Sequence, residues 1–314
     1  MQHFANFDLI MLFFALGVFA SWIRSDLEIP DTISTFLSIF LLLSLGLKGG
    51  HEVRMAQDLS GFLPALFVGL SSCFVIPFVL FWVFRGRLGF ANAAALAASY
   101  GSVSAVTFIT AQGILEKESL LSSGYMVAVM ALMEIPAILI GVYLYQKYAV
   151  AHHSSSGSIL KYIFSAKSVV LLLGGFVIGF SMNQLSWDGI APVVQGAFKG
   201  VLAFFLLDLG VLAQKQMPEA WQYRLFAFLI AIVFPLVFGT AALAAGSLLG
   251  LSRGDQILLA VLAGSASYIA APAAIRASVP TANPSLYLAL PLGLTFPMNL
   301  LLGIPFYIGV SQLF

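Results

Sequence analysis

Charge is what this chain most lacks. Asp, Glu, Lys and Arg together make up 9% of its 314 residues, where a soluble domain carries roughly 25%. A large core cannot account for that shortfall, because a soluble surface must still be hydrated. Charge of either sign is also balanced, at a formal +1, so no electrostatic footprint for nucleic acid is present. Cysteine is nearly absent. Cys73 stands alone in an apolar run, which rules out an intramolecular disulfide and marks it as a packing residue. The first eight residues lack the basic start of a signal peptide, so the first apolar run reads as a retained helix. No phosphate-binding glycine loop, HExxH or nucleophile elbow occurs, which leaves no basis for an enzyme. His3, His51, His152 and His153 are not spaced as metal ligands.

What is abundant is apolar sequence, with 61% hydrophobic residues and a mean hydropathy of +1.01. Stretches of about 20 residues with almost no charge are long enough to cross a hydrocarbon layer of roughly 30 Å. Ten such spans are predicted: 8–25, 31–48, 62–84, 90–112 and 122–147, then 167–185, 193–213, 223–250, 255–275 and 284–313. Each is expected to be helical, because backbone polar groups in lipid must be paired within their own segment. The fold class is therefore an all-α membrane protein. It divides into a first five-helix repeat at 1–147, a linker at 148–166 containing His152-His153-Ser154-Ser155-Ser156-Gly157, and a second repeat at 167–314.

Lysine and arginine set the orientation. With ten spans, Arg24, Arg85, Arg87, Lys147, Lys161, Lys167, Lys215, Arg224 and Arg276 fall on the linker side. Lys48, Arg54, Lys117 and Arg253 fall on the side of the termini. The bias predicts a cytoplasmic linker, with both termini outside a bacterial inner membrane.

The halves echo each other in order. Gly101-Ser102-Val103-Ser104 answers Gly264-Ser265-Ala266-Ser267, and Ser119-Leu120 answers Ser285-Leu286. Pro136 answers Pro297, Pro77 answers Pro235, and Ser44-Leu45-Gly46 answers Asp208-Leu209-Gly210. A repeat of five spans must enter the membrane from the opposite side in its second copy. That inverted arrangement is a recurrent plan of secondary transporters, whose midplane sites are built from broken helices.

The paired Gly-Ser-x-Ser segments suit such a site. Glycine permits a break, serine hydroxyls donate, and freed N–H groups at a half-helix start attract an anion. Pro272 removes a further backbone donor just after the second copy. Serine in membrane helices also bonds its own carbonyls, and glycine also serves helix packing. A single copy would read as packing; two copies at equivalent positions point to a site. Glu134 and Asp208 are carboxylates within apolar spans, where ionisable groups are costly and call for a partner, a cavity or a cation. Hard cations take oxygen ligands, so Ser104, Thr107, Glu134, Ser267 and Asp208 are candidates for Na⁺. Asn299 and Gln112 read as structural polar contacts, and Arg276 as an end anchor.

Five stretches carry a resemblance to a known family. They are Ile29-Pro30-Asp31-Thr32-Ile33-Ser34, Gly46-Leu47-Lys48-Gly49-Gly50, Gly101 to Thr107, Met133-Glu134-Ile135-Pro136, and Arg276-Ala277-Ser278-Val279-Pro280-Thr281-Ala282-Asn283-Pro284-Ser285. Together they resemble the sodium-dependent bicarbonate transporter superfamily. The resemblance implies ten helices in two inverted halves, a core domain moving against a gate domain, and a homotrimer. It implies bicarbonate held by Gly101, Ser102, Val103 and Ser104 facing Gly264, Ser265 and Ala266, with Na⁺ beside it and no organic cofactor. The family's Met-Asp-Ile-Pro becomes Met133-Glu134-Ile135-Pro136, which keeps the carboxylate. Tyr268 stands where cyanobacterial members carry an Asp, and a phenol does not supply that charge at neutral pH. The linker is also shorter than theirs, which weakens the case for a PII-like regulator.

The expected function is Na⁺-dependent bicarbonate uptake by an elevator-like cycle. Other readings stay open: a symporter for another small anion or carboxylate, as in bile-acid-type and auxin-efflux-type carriers, a channel, or a membrane sensor that transports nothing.

Overall fold

The computed structural model describes residues 9–55, 59–149, 167–221 and 225–313. Among these residues the chain is helical, without strands. Most of the linker, 150–166, lies outside them.

α1 (Leu9–Trp22) and α2 (Asp31–Met55) open the chain. α3 (Phe62–Gly101) bends at Gly89, whose φ of 78° and ψ of 164° are open essentially to glycine alone. α4 (Ala105–Lys117), α5 (Tyr125–Met133) and α6 (Pro136–Ala149) complete the first half. α7 (Lys167–Ser181) and α8 (Gln184–Ala191) follow, and a wide π-turn at Pro192–Gly196 leads into α9 (Phe198–Trp221). α10 (Leu225–Phe228) continues through a second wide turn into α11 (Phe234–Leu248). α12 (Arg253–Ala263) and α13 (Ala270–Ser278) are separate half-helices. The last apolar segment, 285–310, winds through wide turns around α14 (Phe296–Met298) into α15 (Ile304–Val310).

Among the described residues, six stretches are long and apolar enough to cross a bilayer unaided, against the ten spans expected from the sequence. The expected third and fourth spans fall in one stretch of 56 residues, 62–117. α1 and α7 have only 14 and 15 described residues. The expected ninth span is two half-helices of 11 and 9 residues. Such short pieces survive in a membrane only where protein surrounds them, and every residue of α12 after Arg253 is buried. By contrast Leu63, Phe67, Phe74, Val75 and Trp82 of α3 are exposed. An outer surface of large apolar side chains on long apolar helices is that of a multi-pass membrane protein.

Two helix pairs come into main-chain contact at paired glycines. A Cβ on Gly17 of α1 would strike the carbonyl of Leu207 on α9, and one on Gly210 would strike that of Phe14. In the same way Gly50 of α2 faces the carbonyl of Phe176 on α7, while Gly179 faces that of Leu47. Small residues permit this close approach, which supplies packing where lipid gives no hydrophobic drive. α2 also packs on α9, joining the four helices into one block. The second block carries the broken helices: α3 lies along α6, α12 lies against α11 and α4, and α13 lies against α3 and α6.

Candidate functional site

α3 ends at Gly101, the chain turns extended at Ser102 with ψ of 172°, and α4 begins after Ser104. The Ser104 hydroxyl caps α4, accepting from the Thr107 N–H at 3.1 Å, which satisfies one of the helix's free first-turn donors. Thr107 Oγ1 lies 2.8 Å from the same oxygen. The second break runs from Gly264 to Ile269, and the Ser267 hydroxyl accepts from the Ala271 N–H at 3.1 Å in the first turn of α13.

The two breaks are bonded to each other. The Ser104 N–H donates to Ser265 Oγ at 3.1 Å. The Ser267 N–H donates to the Ser99 carbonyl at 2.8 Å. Ser102 Oγ donates to the carbonyl of Glu134 at 2.9 Å, bringing in the interruption between α5 and α6. The amide of Asn299 donates to the Gly264 carbonyl at 2.8 Å, a structural contact of the kind expected.

Between the breaks lies a chamber of about 20 Å³, lined by Leu42, Val103, Ser104, Ala105, Val106, Glu134, Ser267, Tyr268, Ile269 and Ala270. A cavity needs about 10–15 Å³ to hold one water, so this one has room for a small ion. The starts of α4 and α13 both border it, so two positive helix ends and one carboxylate share a small space. Hydroxyl oxygens and the carboxylate suit a hard cation, and helix N-termini suit an anion.

Larger hollows lie on either side. One, of about 420 Å³, is walled by Ser44, Lys48 and Glu52 of α2, Ile109, Thr110, Gln112 and Glu116 of α4, and Val194 to Leu202. The other, of about 230 Å³, is walled by Ser34, Thr35 and Ser38 of α2, Phe205, Leu209 and Leu212 of α9, Tyr268, Ile269, Leu288 and Leu292. Residues of α2 therefore line the small hollow, the chamber (at Leu42) and the large hollow in sequence order. From Ser34 to Glu52 that course covers about 27 Å at 1.5 Å per residue.

Of the expected residues, Val103, Ser104, Glu134 and Ser267 line the chamber. Ser102, Thr107 and Ser265 stand behind it, each bonded to a neighbour that shapes it. Gly101 and Gly264 press on protein: a side chain at Gly101 would meet Pro77 and Ala137, and one at Gly264 the carbonyls of Pro235 and Ala260. Ala266 is buried and is not in the chamber wall. Asp208 is also absent from that wall; it is buried on α9 and accepts a hydrogen bond from Ser34 Oγ of α2. The sequence reading missed the large hollow. Its signal was Lys48 and Glu52 one turn apart on α2, held by Lys48 contacts of 3.7 Å to Glu52 and 3.6 Å to Glu116.

Comparison with known families matches residues 10–312 to one family, described as the Na⁺-dependent bicarbonate transporter superfamily. No curated protein matches the chain.

Proposed function

The chain belongs to the Na⁺-dependent bicarbonate transporter superfamily, a family of transporters rather than enzymes, and on that footing we propose that it carries bicarbonate into the cell with Na⁺. The observation that carries this reading is the chamber between two mutually bonded helix breaks, with a hollow on each side along α2. A closed midpoint with an approach from either face is what alternating access requires. Na⁺ would take oxygens of Glu134, Ser104 and Ser267, with Thr107 behind them; the anion would take the N-terminal ends at Val103–Ala105 and 267–270. A cation bound beside an anion raises its affinity, and the reverse holds equally. Na⁺ is here the coupling ion and no organic cofactor is required. Asp208 would act at a distance, through α2.

The same proposal includes ten helices in inverted five-helix repeats. Equivalent contacts support it. α1 crosses α9 as α7 crosses α2, each by reciprocal glycines. The N–H groups of Ser104 and Ser267, 163 positions apart, both donate across the break. The block of α1, α2, α7 and α9 would be the gate and the other the moving core of an elevator-like cycle. Placement in a bacterial inner membrane is part of the same proposal, and the Lys and Arg bias supports both termini outside; Arg85 stacked 3.6 Å from the Trp82 ring, and Lys147 beside Tyr143 and Tyr148, suit interfacial anchors on the linker side. A homotrimer and a PII-like regulator of the linker rest on the family resemblance alone.

The test is labelled bicarbonate uptake into proteoliposomes. Uptake should collapse when choline replaces Na⁺; equal uptake in the two media rejects coupling. A second reading, a different small anion, is favoured by Tyr268 in the chamber wall. Competition by formate, nitrate and acetate separates the two.

A further inference from the structure

Tyr268 is the one residue besides its neighbour Ile269 that lines both the chamber and the smaller hollow. Its side chain stands between them, with the ring held against Phe296 at 5.3 Å and an interplanar angle of 59°. The residue is 7% exposed, and its hydroxyl has no hydrogen-bond partner among the described residues. That hydroxyl lies beside Ser104 and Thr107 without bonding geometry to either.

Three neighbouring hydroxyls are committed as donors, while those of Ser104 and Ser267 accept first-turn N–H groups. Ser265 donates to the Leu262 carbonyl at 2.9 Å, Ser102 to the Glu134 carbonyl at 2.9 Å, and Thr107 to Ser104 at 2.8 Å. Buried polar groups are nearly always satisfied, and an exception in a cavity wall calls for a ligand. A neutral phenol is a donor, and the nearby helix starts favour negative charge.

We propose that Tyr268 contacts the carried anion, donating from its hydroxyl, and that its ring is the wall that limits the anion's size. The ligand class is a small monovalent oxyanion with an acceptor oxygen to spare, such as bicarbonate, formate or nitrate. The proposal rests on the transport reading above and adds to it the residue that sets selectivity.

Two variants separate donor from wall. Tyr268→Phe keeps the ring and removes the donor. Its half-saturation concentration for the anion should rise about tenfold, the loss of one hydrogen bond to a charged ligand, while the retained ring keeps acetate and propionate out. Tyr268→Ala should let acetate and propionate compete, because the chamber then joins the hollow. Thermal midpoints in detergent show whether each variant is folded; Tyr268→Phe, which retains the ring contact, decides the donor claim by itself. A folded Tyr268→Phe with wild-type half-saturation overturns the donor role. A folded Tyr268→Ala that still excludes acetate overturns the wall. Wild-type vesicles that take up none of bicarbonate, formate and nitrate reject the transport reading itself, whereas wild-type uptake with unaltered variants rejects only the role of the tyrosine.

Discussion

Asp255 accepts the backbone N–H of Ser123 at 2.7 Å, fastening the start of α12 to the approach to α5. The same carboxylate takes the Ser123 hydroxyl at 2.8 Å and the Tyr125 hydroxyl at 2.7 Å, and is wholly buried. A counterpart sits in the other half. There Asn92 Oδ1 accepts the N–H of Asn283 at 2.8 Å, with the two acceptors 163 positions apart and the two donors 160. Each pair ties the helix leading into a break to the segment that follows the other break.

Asp255→Ala should therefore unfold the protein more readily than any conservative change in the chamber. It removes the acceptor of three hydrogen bonds, and a buried donor that loses its acceptor costs about 1–3 kcal/mol. Asp255→Asn keeps one acceptor oxygen, as Asn92 does, and should lose less. Thermal midpoints of the two variants in detergent check the order. An alanine variant as stable as the asparagine variant would mean that the bonds contribute little.

Glu134→Gln keeps the shape of the α5–α6 interruption and removes its charge. The Na⁺ concentration for half-maximal uptake should rise at least about tenfold, since a hard cation loses its charged ligand. Na⁺ titration of uptake measures it. An unshifted Na⁺ curve would remove Glu134 from the coupling site.

Ser265→Ala strips the acceptor from the Ser104 N–H, the bond that joins one break to the other. A cost of about 1–3 kcal/mol is expected for a buried donor left alone, together with a several-fold higher half-saturation for the anion. Uptake kinetics with thermal midpoints on the same preparation show both. A fall in stability with unchanged kinetics would make the bond merely structural.

Glu116→Gln is expected to do little to stability. Its contact with Lys48 is 3.6 Å long and Glu116 is half-exposed, and exposed pairs contribute about 0–1 kcal/mol. A larger loss in chemical or thermal unfolding would show that the large hollow is drier than its lining implies.

Much of the architecture was legible beforehand. Apolar runs located every long helix, because a lipid-facing helix must be apolar along its length. Both breaks fall where Gly-Ser-x-Ser occurs, since serine caps a helix start as readily as it interrupts one. The described parts of α1 and α7 and the two halves α12 and α13 are each shorter than a full crossing, and at α12, hydropathy does not separate a full crossing from a short piece enclosed by protein. Asp255 went unnoticed because it opens the expected ninth span two residues after Arg253, where a charge reads as a hydrated helix end, and only the tertiary fold brings Ser123 and Tyr125 to it. Glycine was read chiefly as a helix breaker, but at Gly17, Gly50, Gly179 and Gly210 it is simply the absence of a side chain. Which helix would occupy the vacated space is not written locally.

Gly17→Ala or Gly179→Ala should push α1 from α9 or α7 from α2, since the new methyl would meet a carbonyl that cannot yield. Overpacking of this kind costs about 1–3 kcal/mol. Lower thermal midpoints for both, of similar size, are expected; an unchanged midpoint in either would show that the crossing has slack.

Where the glycines cross, main chain meets main chain and no side chain is there to rearrange. Sliding one helix past its partner would mean climbing over peptide groups there, so these crossings behave as welded joints. On the transport reading, a stroke would then be taken up between the two blocks rather than within either crossing, where Lys48 of α2 reaches Glu116 of α4 beside the large hollow and residues 285–295 lie against α9.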